Sequence, residues 1–164
     1  SPAPFDSEHP HRTLIRWTEG EPTMGEVVLN PTRIYCDPVV DLLNEARNGS
    51  SFSISDIHGI CHVTGGGLSN LLRLHGSLGW SIDSPLPVLP EFKWLQEAGG
   101  VETREMYRTF NMGMGMVIAV DKTHAQGITD WISARLPGTA VVGSVTNDGH
   151  VVTHAIEGVE FSHY

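Results

Sequence analysis

Three consecutive glycines most constrain how this chain can fold. They form the run Thr64-Gly65-Gly66-Gly67, which follows residues 54–63, a stretch with the apolar and small-residue pattern of a β-strand. After the glycines, leucines recur at helical spacing from Leu68 to Leu74. The predicted order is therefore strand, glycine turn and helix, with a sharp bend where another group can approach the backbone closely.

This arrangement is typical of an anion site, because it presents backbone N–H groups and the positive end of a helix dipole to a ligand. Thr64 adds a hydroxyl, and Gly65, Gly66 and Gly67 let a phosphate reach the main chain without meeting a Cβ. We predict that these four residues bind substrate. A tight turn that merely required glycine is the alternative. The run matches neither G-x-x-x-x-G-K-[ST] nor G-x-G-x-x-G.

His62 stands two residues before the turn, at the end of the predicted strand. An imidazole there can donate to a substrate oxygen or carry a proton near neutral pH, so His62 is the candidate catalytic residue. A hydrogen-bonded structural histidine is the alternative. His58 lies on the same face of the strand, but no close Cys/His pair completes a zinc site, and we predict no metal ligands.

Three further residues are candidates for substrate binding. Arg33 precedes a helix predicted from Asp37-Pro38 to Asn48-Gly49, where it can clamp a phosphate or form a salt bridge. Arg108 and Asn111 lie in a stretch with alternating Met and Gly. We predict residues 109–120 as one strand, whose face without side chains packs against another part of the fold or a ligand.

The remaining pattern interleaves strands and helices. We predict a strand at 79–83, helices at 91–98, 102–107 and 123–136, and a hairpin of strands 140–145 and 150–156 around Asn147-Asp148-Gly149. Residues 1–24 show no sustained period and are predicted to be a loosely held N-terminal segment before one domain at 25–164. The fold class is α/β (α+β), a layered sandwich with a mixed, partly antiparallel sheet.

Charge and composition exclude several classes of partner. The chain has 10 Lys and Arg against 19 Asp and Glu, a net charge of −9, which argues against binding to nucleic acid or an anionic membrane surface. Its longest apolar stretch, Met116 to Val120, is far too short to span a bilayer. Two cysteines are too few for a disulfide framework, so a cytoplasmic location is expected.

Four motifs together resemble one enzyme family, aminoimidazole ribonucleotide synthetase, also called phosphoribosylformylglycinamidine cyclo-ligase. They are Pro31-Thr32-Arg33-Ile34-Tyr35, His62-Val63-Thr64-Gly65-Gly66-Gly67, Trp94-Leu95-Gln96-Glu97-Ala98-Gly99 and the run from Glu105 to Met116. The resemblance covers about residues 22 to 145 and concerns the C-terminal domain of the family. We expect the family's N-terminal ATP-binding domain to be absent from this chain.

The resemblance implies a fold distantly like ferredoxin and an ATP-dependent reaction that closes an imidazole ring. The substrate would be the phosphorylated ribonucleotide formylglycinamidine ribonucleotide, and His62 would assist the reaction. Residues Thr64 to Gly67 would hold either the ribose phosphate of this substrate or the transferred phosphoryl group. It further implies that ATP and magnesium are held mostly by the N-terminal domain, and that the complete protein is a homodimer. Two alternatives are a non-catalytic domain that binds phosphate ligands and a related enzyme of the selenophosphate synthetase or thiamine monophosphate kinase type.

Overall fold

The computed structural model describes residues 23–49 and 51–164. Most of the predicted N-terminal segment, up to residue 22, lies outside the described residues. Within them, no helix is both long and apolar enough to cross a membrane.

The described residues form five α-helices, two 3₁₀ helices and six strands. The α-helices are Met24–Val28 (α1), Cys36–Asn48 (α2), Pro90–Gly99 (α3), Thr103–Thr109 (α4) and Ala125–Ser133 (α5). The strands are Ile57–His62 (β1), Gly79–Ile82 (β2), Met116–Val120 (β3), Ser144–Thr146 (β4), Val152–His154 (β5) and Glu160–Phe161 (β6). The 3₁₀ helices are Ile54–Asp56 and Gly67–Leu74.

Helix α2 confirms the predicted helix, with a different start. Its N-cap is Tyr35, which makes no side-chain cap hydrogen bond, so Asp37 lies in the first turn rather than at the cap. The negative charge of Asp37 still favours that turn through the helix dipole. Gly49 ends the helix in the left-handed conformation, with φ of 67°.

A two-stranded antiparallel sheet, β1 with β3, separates two hydrophobic cores, as alternating side chains of a strand point to opposite faces. Val117 and Ala119 of β3 pack against the first core, together with the 3₁₀ helix after the glycines, α4 and β5. Ile118 and Val120 pack against the second core, between α2 and α5. The end of β1 therefore reaches the surface between two packed layers.

The predicted hairpin at 140–156 is wrong in its pairing. Strands β4 and β5 do not pair with each other, because β2 lies between them, antiparallel to β4 and parallel to β5. The loop joining β4 to β5 crosses the start of β2 at Gly79, where an added Cβ would lie 2.6 Å from Thr146 Oγ1 and 2.9 Å from the Gly149 carbonyl oxygen. A missing side chain thus lets β2 enter between the two strands.

The predicted strand at 109–120 is correct only in its second half. Residues 110–115 form a turn in which Met112 and Gly113 have positive φ, of 48° and 100°. The Asn111 Oδ1 accepts a hydrogen bond from the Gly113 amide at 3.0 Å, and an added Cβ on Gly113 would lie 2.6 Å from the Pro87 carbonyl oxygen. Close approach of another loop, rather than a bare strand face, accounts for this glycine.

The fold class is confirmed: helices and strands mix in an α+β fold with open sheets, one of them mixed in strand direction. The helix predicted after the glycines is a 3₁₀ helix, Gly67–Leu74. Six consecutive residues of that helix, from Gly67 to Leu72, are buried. The glycine turn is therefore attached to one of the most deeply buried elements of the domain.

Candidate anion site at the glycine turn

The glycine turn has a backbone that only glycine adopts readily. Gly65, Gly66 and Gly67 have φ of 46°, 98° and 53°, all in the left-handed region. An added Cβ would meet nothing within 4 Å on Gly65, but on Gly67 it would overlap the carbonyl of Tyr107. The turn is therefore open at Gly65 and pressed against the end of α4 at Gly67.

Two buried polar side chains hold the carbonyl groups of the turn. The Asn70 Nδ2 donates to the carbonyl oxygens of Thr64, Gly65 and Gly67, at 3.0, 3.0 and 2.9 Å. The Ser69 hydroxyl donates to the fourth carbonyl, that of Gly66, at 2.7 Å. All four carbonyl groups of residues 64–67 are thus satisfied from the protein side.

The amides of the turn differ from its carbonyl groups in their hydrogen bonding. Within residues 23–49 and 51–164, no carbonyl or side chain accepts a hydrogen bond from the N–H groups of Gly65, Gly66 or Gly67. Successive free N–H groups in a left-handed turn form a concave site suited to an anion. The geometry of the turn is thus compatible with the predicted phosphate site.

His62 is the last residue of β1, two residues before the turn, and it is exposed. Its ring meets the ring of Tyr35 edge-on, with centroids 5.6 Å apart. The Val63 amide donates to the Gly115 carbonyl at 2.9 Å, which joins the strand end to the residue just before β3. Burial raises the pKa of the Tyr35 phenol, and the nearby charge of Arg33 opposes that shift. Tyr35 is therefore a neutral neighbour of the imidazole.

Arg108 lies at the end of α4, beside Gly67. An added Cβ on Gly67 would lie 2.9 Å from the carbonyl carbon of Arg108. Arg108 lines a cavity of about 130 Å³ together with Arg104 and residues 161–164. Tyr164, in the same cavity, also lies beside the turn, 3.3 Å from an added Cβ on Gly66. The structure thus brings Arg108 close to the turn.

The other two candidate residues have structural partners. The Arg33 Nη1 donates to the Pro137 carbonyl at 3.2 Å, so its guanidinium is tied to the chain just after α5. Asn111 uses its Oδ1 to hold the turn before β3. No hydrogen bond of the described residues joins either side chain to the glycine turn.

Arginines lie around Tyr164, which stands beside the turn, although the chain is acidic. Arg73 stacks on the Tyr164 ring at 4.8 Å and donates to its hydroxyl at 3.3 Å. In the part of the chain described, no carboxylate lies within 4 Å of the guanidinium groups of Arg73, Arg104 or Arg108. An oxyanion bound in the cavity beside the turn would therefore lie near arginines that no described carboxylate pairs with.

Sequence reasoning missed two residues that shape the site, Asn70 and Ser69. They are 2% and 4% exposed, the only buried polar side chains of the described core. The available signal was two polar residues inside a leucine-rich stretch, since buried polar groups require hydrogen-bond partners. For metals, the described residues contain no group of three or more His, Cys, Asp or Glu placed to hold an ion.

The chain is an α+β domain with a glycine turn between β1 and a buried 3₁₀ helix. Residues 13–156 match the family described as AIR synthase related protein, C-terminal domain, and the chain belongs to that family. The phosphoribosylformylglycinamidine cyclo-ligase of Methanopyrus kandleri is 39% identical over 80% of this chain and 35% of its own length. The protein of the same name from Methanococcoides burtonii is 40% identical over 79% of this chain and 34% of its own.

A solved structure supports the fold. The crystal structure of HypE from E. coli superposes with a TM-score of 0.55 and 21% identity, covering 81% of this chain and 39% of that one. The chain spans about a third of the length of the curated relatives it matches.

Proposed function

We propose that this chain is the substrate-side domain of an ATP-dependent phosphoribosylformylglycinamidine cyclo-ligase of cytoplasmic purine biosynthesis. Two supports are independent of each other. The relatives that carry this name are 39% and 40% identical over most of the chain. The glycine turn offers three N–H groups without an acceptor among the described residues, as a phosphorylated ligand requires.

The proposed reaction needs an oxygen to become a leaving group. The amide oxygen of formylglycinamidine ribonucleotide attacks the γ-phosphorus of ATP and releases ADP. The amidine nitrogen then attacks the activated carbon, and the oxygen departs as inorganic phosphate when the imidazole ring closes. Fixed N–H donors stabilise the negative charge of such a step. The amides of Gly65, Gly66 and Gly67 supply these donors, with Thr64 at the edge of the turn.

His62 is the proposed proton carrier. It is exposed at the end of β1, just before the turn, and its ring meets the edge of a neutral phenol. A neutral imidazole can accept a proton from the amidine nitrogen and return it to a departing oxygen. Arg108 is the proposed cationic contact to the ligand, with weaker roles for Arg33 and Asn111.

ATP and magnesium belong to a second domain in this proposal. The described residues place no three potential metal ligands together, so no step here is assigned to a metal held by this chain. The proposed partner is an N-terminal ATP-binding domain, and the proposed assembly of the complete protein is a homodimer.

The glycine turn with outward amides is the observation that carries this proposal. The test mixes the chain with the remaining two-thirds of the Methanopyrus kandleri cyclo-ligase, and measures aminoimidazole ribonucleotide and ADP together. We expect imidazole formation that depends on both polypeptides and is lost with His62→Ala.

Two other results would contradict the proposal and support one of the alternative functions. Binding of the ribonucleotide without any turnover, with the supplied domain shown to bind ATP, would indicate a non-catalytic phosphate-binding domain. ADP formation without an imidazole product would indicate a related ATP-dependent enzyme with another acceptor.

A further inference from the structure

We propose that Asn70 is the positioning residue of the anion site: it turns the amides of the glycine turn outward without touching the ligand itself. The inference rests on the proposed role of this turn in binding phosphate. It adds a residue that neither the sequence motifs nor the chemistry of the ligand would select.

The geometry of the peptide bond carries the first step. In a trans peptide, the carbonyl of one residue and the N–H of the next point in opposite directions. Asn70 holds the carbonyl groups of Thr64 and Gly65 toward the protein interior. The N–H groups of Gly65 and Gly66 consequently point away from it. Ser69 acts in the same way on the next peptide. It holds the Gly66 carbonyl toward the interior, so the Gly67 amide points outward.

The flexibility of glycine explains why such a lock is needed. Glycine adopts positive and negative φ about equally well, so a run of three can flip its peptides at little cost. A flipped peptide would point a carbonyl oxygen at the anion, which replaces attraction with repulsion. Outward amides in this turn therefore depend on a restraint from outside the glycines.

Asn70 meets the chemical requirements of that restraint. Its Nδ2 carries two hydrogens for three carbonyl acceptors, so at least one hydrogen is shared. With 2% exposure, the amide meets almost no water that could compete for these bonds. An aspartate at this position has the same shape, but it would set a carboxylate against three carbonyl oxygens.

The experiment measures binding of inorganic phosphate to the full chain by NMR, using the ¹⁵N-glycine amide signals and the change in melting temperature. The variants are Asn70→Asp and the milder Ser69→Ala, which removes one of the four carbonyl restraints. Asn147→Asp is the charge control, since Asn147 is an exposed loop residue. Ile128→Val, in the second core, is the control for lost stability.

We expect Asn70→Asp to weaken phosphate binding about 10- to 100-fold, the effect of losing buried hydrogen bonds to the turn. Ser69→Ala should cause a smaller loss, and both controls should bind as the wild type does. If Asn70→Asp fails to fold, the result with Ser69→Ala decides.

Equal phosphate affinity in the wild type, Asn70→Asp and Ser69→Ala would overturn the inference and leave the proposed function intact. A wild-type chain that does not bind phosphate would also overturn it. The cyclo-ligase proposal is judged separately, by imidazole formation.

Discussion

The phenol of Tyr35 lies directly against the Cα of Gly115, in the space that any side chain at position 115 would occupy. Tyr35 comes from the segment before α2, and Gly115 from the residue just before β3. The same phenol ring meets the His62 ring edge-on at 5.6 Å. The absence of a side chain at Gly115 thus leaves room for the aromatic neighbour of the imidazole.

This relationship predicts the effect of Gly115→Ala. Since Gly115 does not have a positive φ, the added methyl group is accommodated by the backbone and acts only by displacing Tyr35. We expect about 1–3 kcal/mol of lost stability, as for overpacking, together with slower imidazole formation. Urea denaturation and the two-polypeptide assay measure the two effects.

Gly127→Ala is the matched control for that variant, because a Cβ on this α5 glycine meets nothing within 4 Å. Its helix should gain up to about 1 kcal/mol. An unchanged stability in Gly115→Ala would contradict the close contact between Tyr35 and Gly115.

His62→Ala should separate activity from stability. The side chain is exposed, so we expect little change in melting temperature, whereas loss of a proton carrier lowers turnover about 10²- to 10⁴-fold. His58→Ala, an exposed histidine at the irregularity of β1, is the control. Parallel losses of turnover and melting temperature would instead assign His62 a structural role.

Gly66→Val tests the approach path to the turn. Valine at φ of 98° is strained, and its Cβ would lie 3.3 Å from the Tyr164 ring and 3.4 Å from Asn70 Nδ2. We expect phosphate binding to weaken about tenfold or more, which is about 1.4 kcal/mol.

Gly49→Val provides the comparison for backbone strain. Gly49 also has a positive φ, of 67°, but lies at the end of α2, where a Cβ meets nothing within 4 Å. Both variants should lose about 1–2 kcal/mol from the left-handed backbone. Only the variant at Gly66 should lose phosphate affinity, and equal affinities would exclude the turn as the phosphate site.

A pH-dependent loss of stability is expected from His154. Its Nδ1 accepts a hydrogen bond from the Ile156 amide at 3.0 Å, and its ring packs on Tyr107 with centroids 4.5 Å apart. Burial lowers the pKa of this imidazole below the ordinary 6.5. At His154 the unfolded chain therefore binds a proton more readily than the folded chain does. The contribution of this residue to the free energy of unfolding is present above about pH 6.5 and is lost as the pH falls below that value.

His154→Asn should reduce that dependence, because asparagine does not titrate. The measurement is the free energy of unfolding in urea at about pH 7.5 and about pH 5, on either side of histidine titration. His163→Asn is the control, since His163 is exposed. An identical pH dependence in the wild type and His154→Asn would refute the assignment.

Features that depend on nearby residues could be predicted from the sequence. Helix α2 ends at a left-handed glycine, as the Asn48-Gly49 pair indicated, and the glycine turn follows β1 as its composition indicated. Helix α3 likewise ends before left-handed Gly100. In each case the deciding interaction lies within about four residues, the range over which helical spacing and glycine conformations operate.

Features that depend on distant residues could not be predicted in this way. Asn147-Asp148-Gly149 has the composition of a hairpin turn, yet β2 lies between the two strands that it joins. The Met112-Gly113 turn depends on a contact with Pro87, in a loop more than twenty residues earlier. Periodicity shows which residues form a strand, but it shows neither which strand will pair with it, as with β2, nor which loop will approach a single glycine, as at Gly113.

The sequence by itself determined the class of this protein: an acidic α+β domain whose run of glycines, with a histidine just before it, indicates an anion site. Only the tertiary structure decided which way the glycine peptides face and what stands beside the histidine. A glycine-rich backbone permits either peptide orientation. The orientation is therefore fixed by hydrogen bonds from Asn70 and Ser69, which are buried on the far side of the turn.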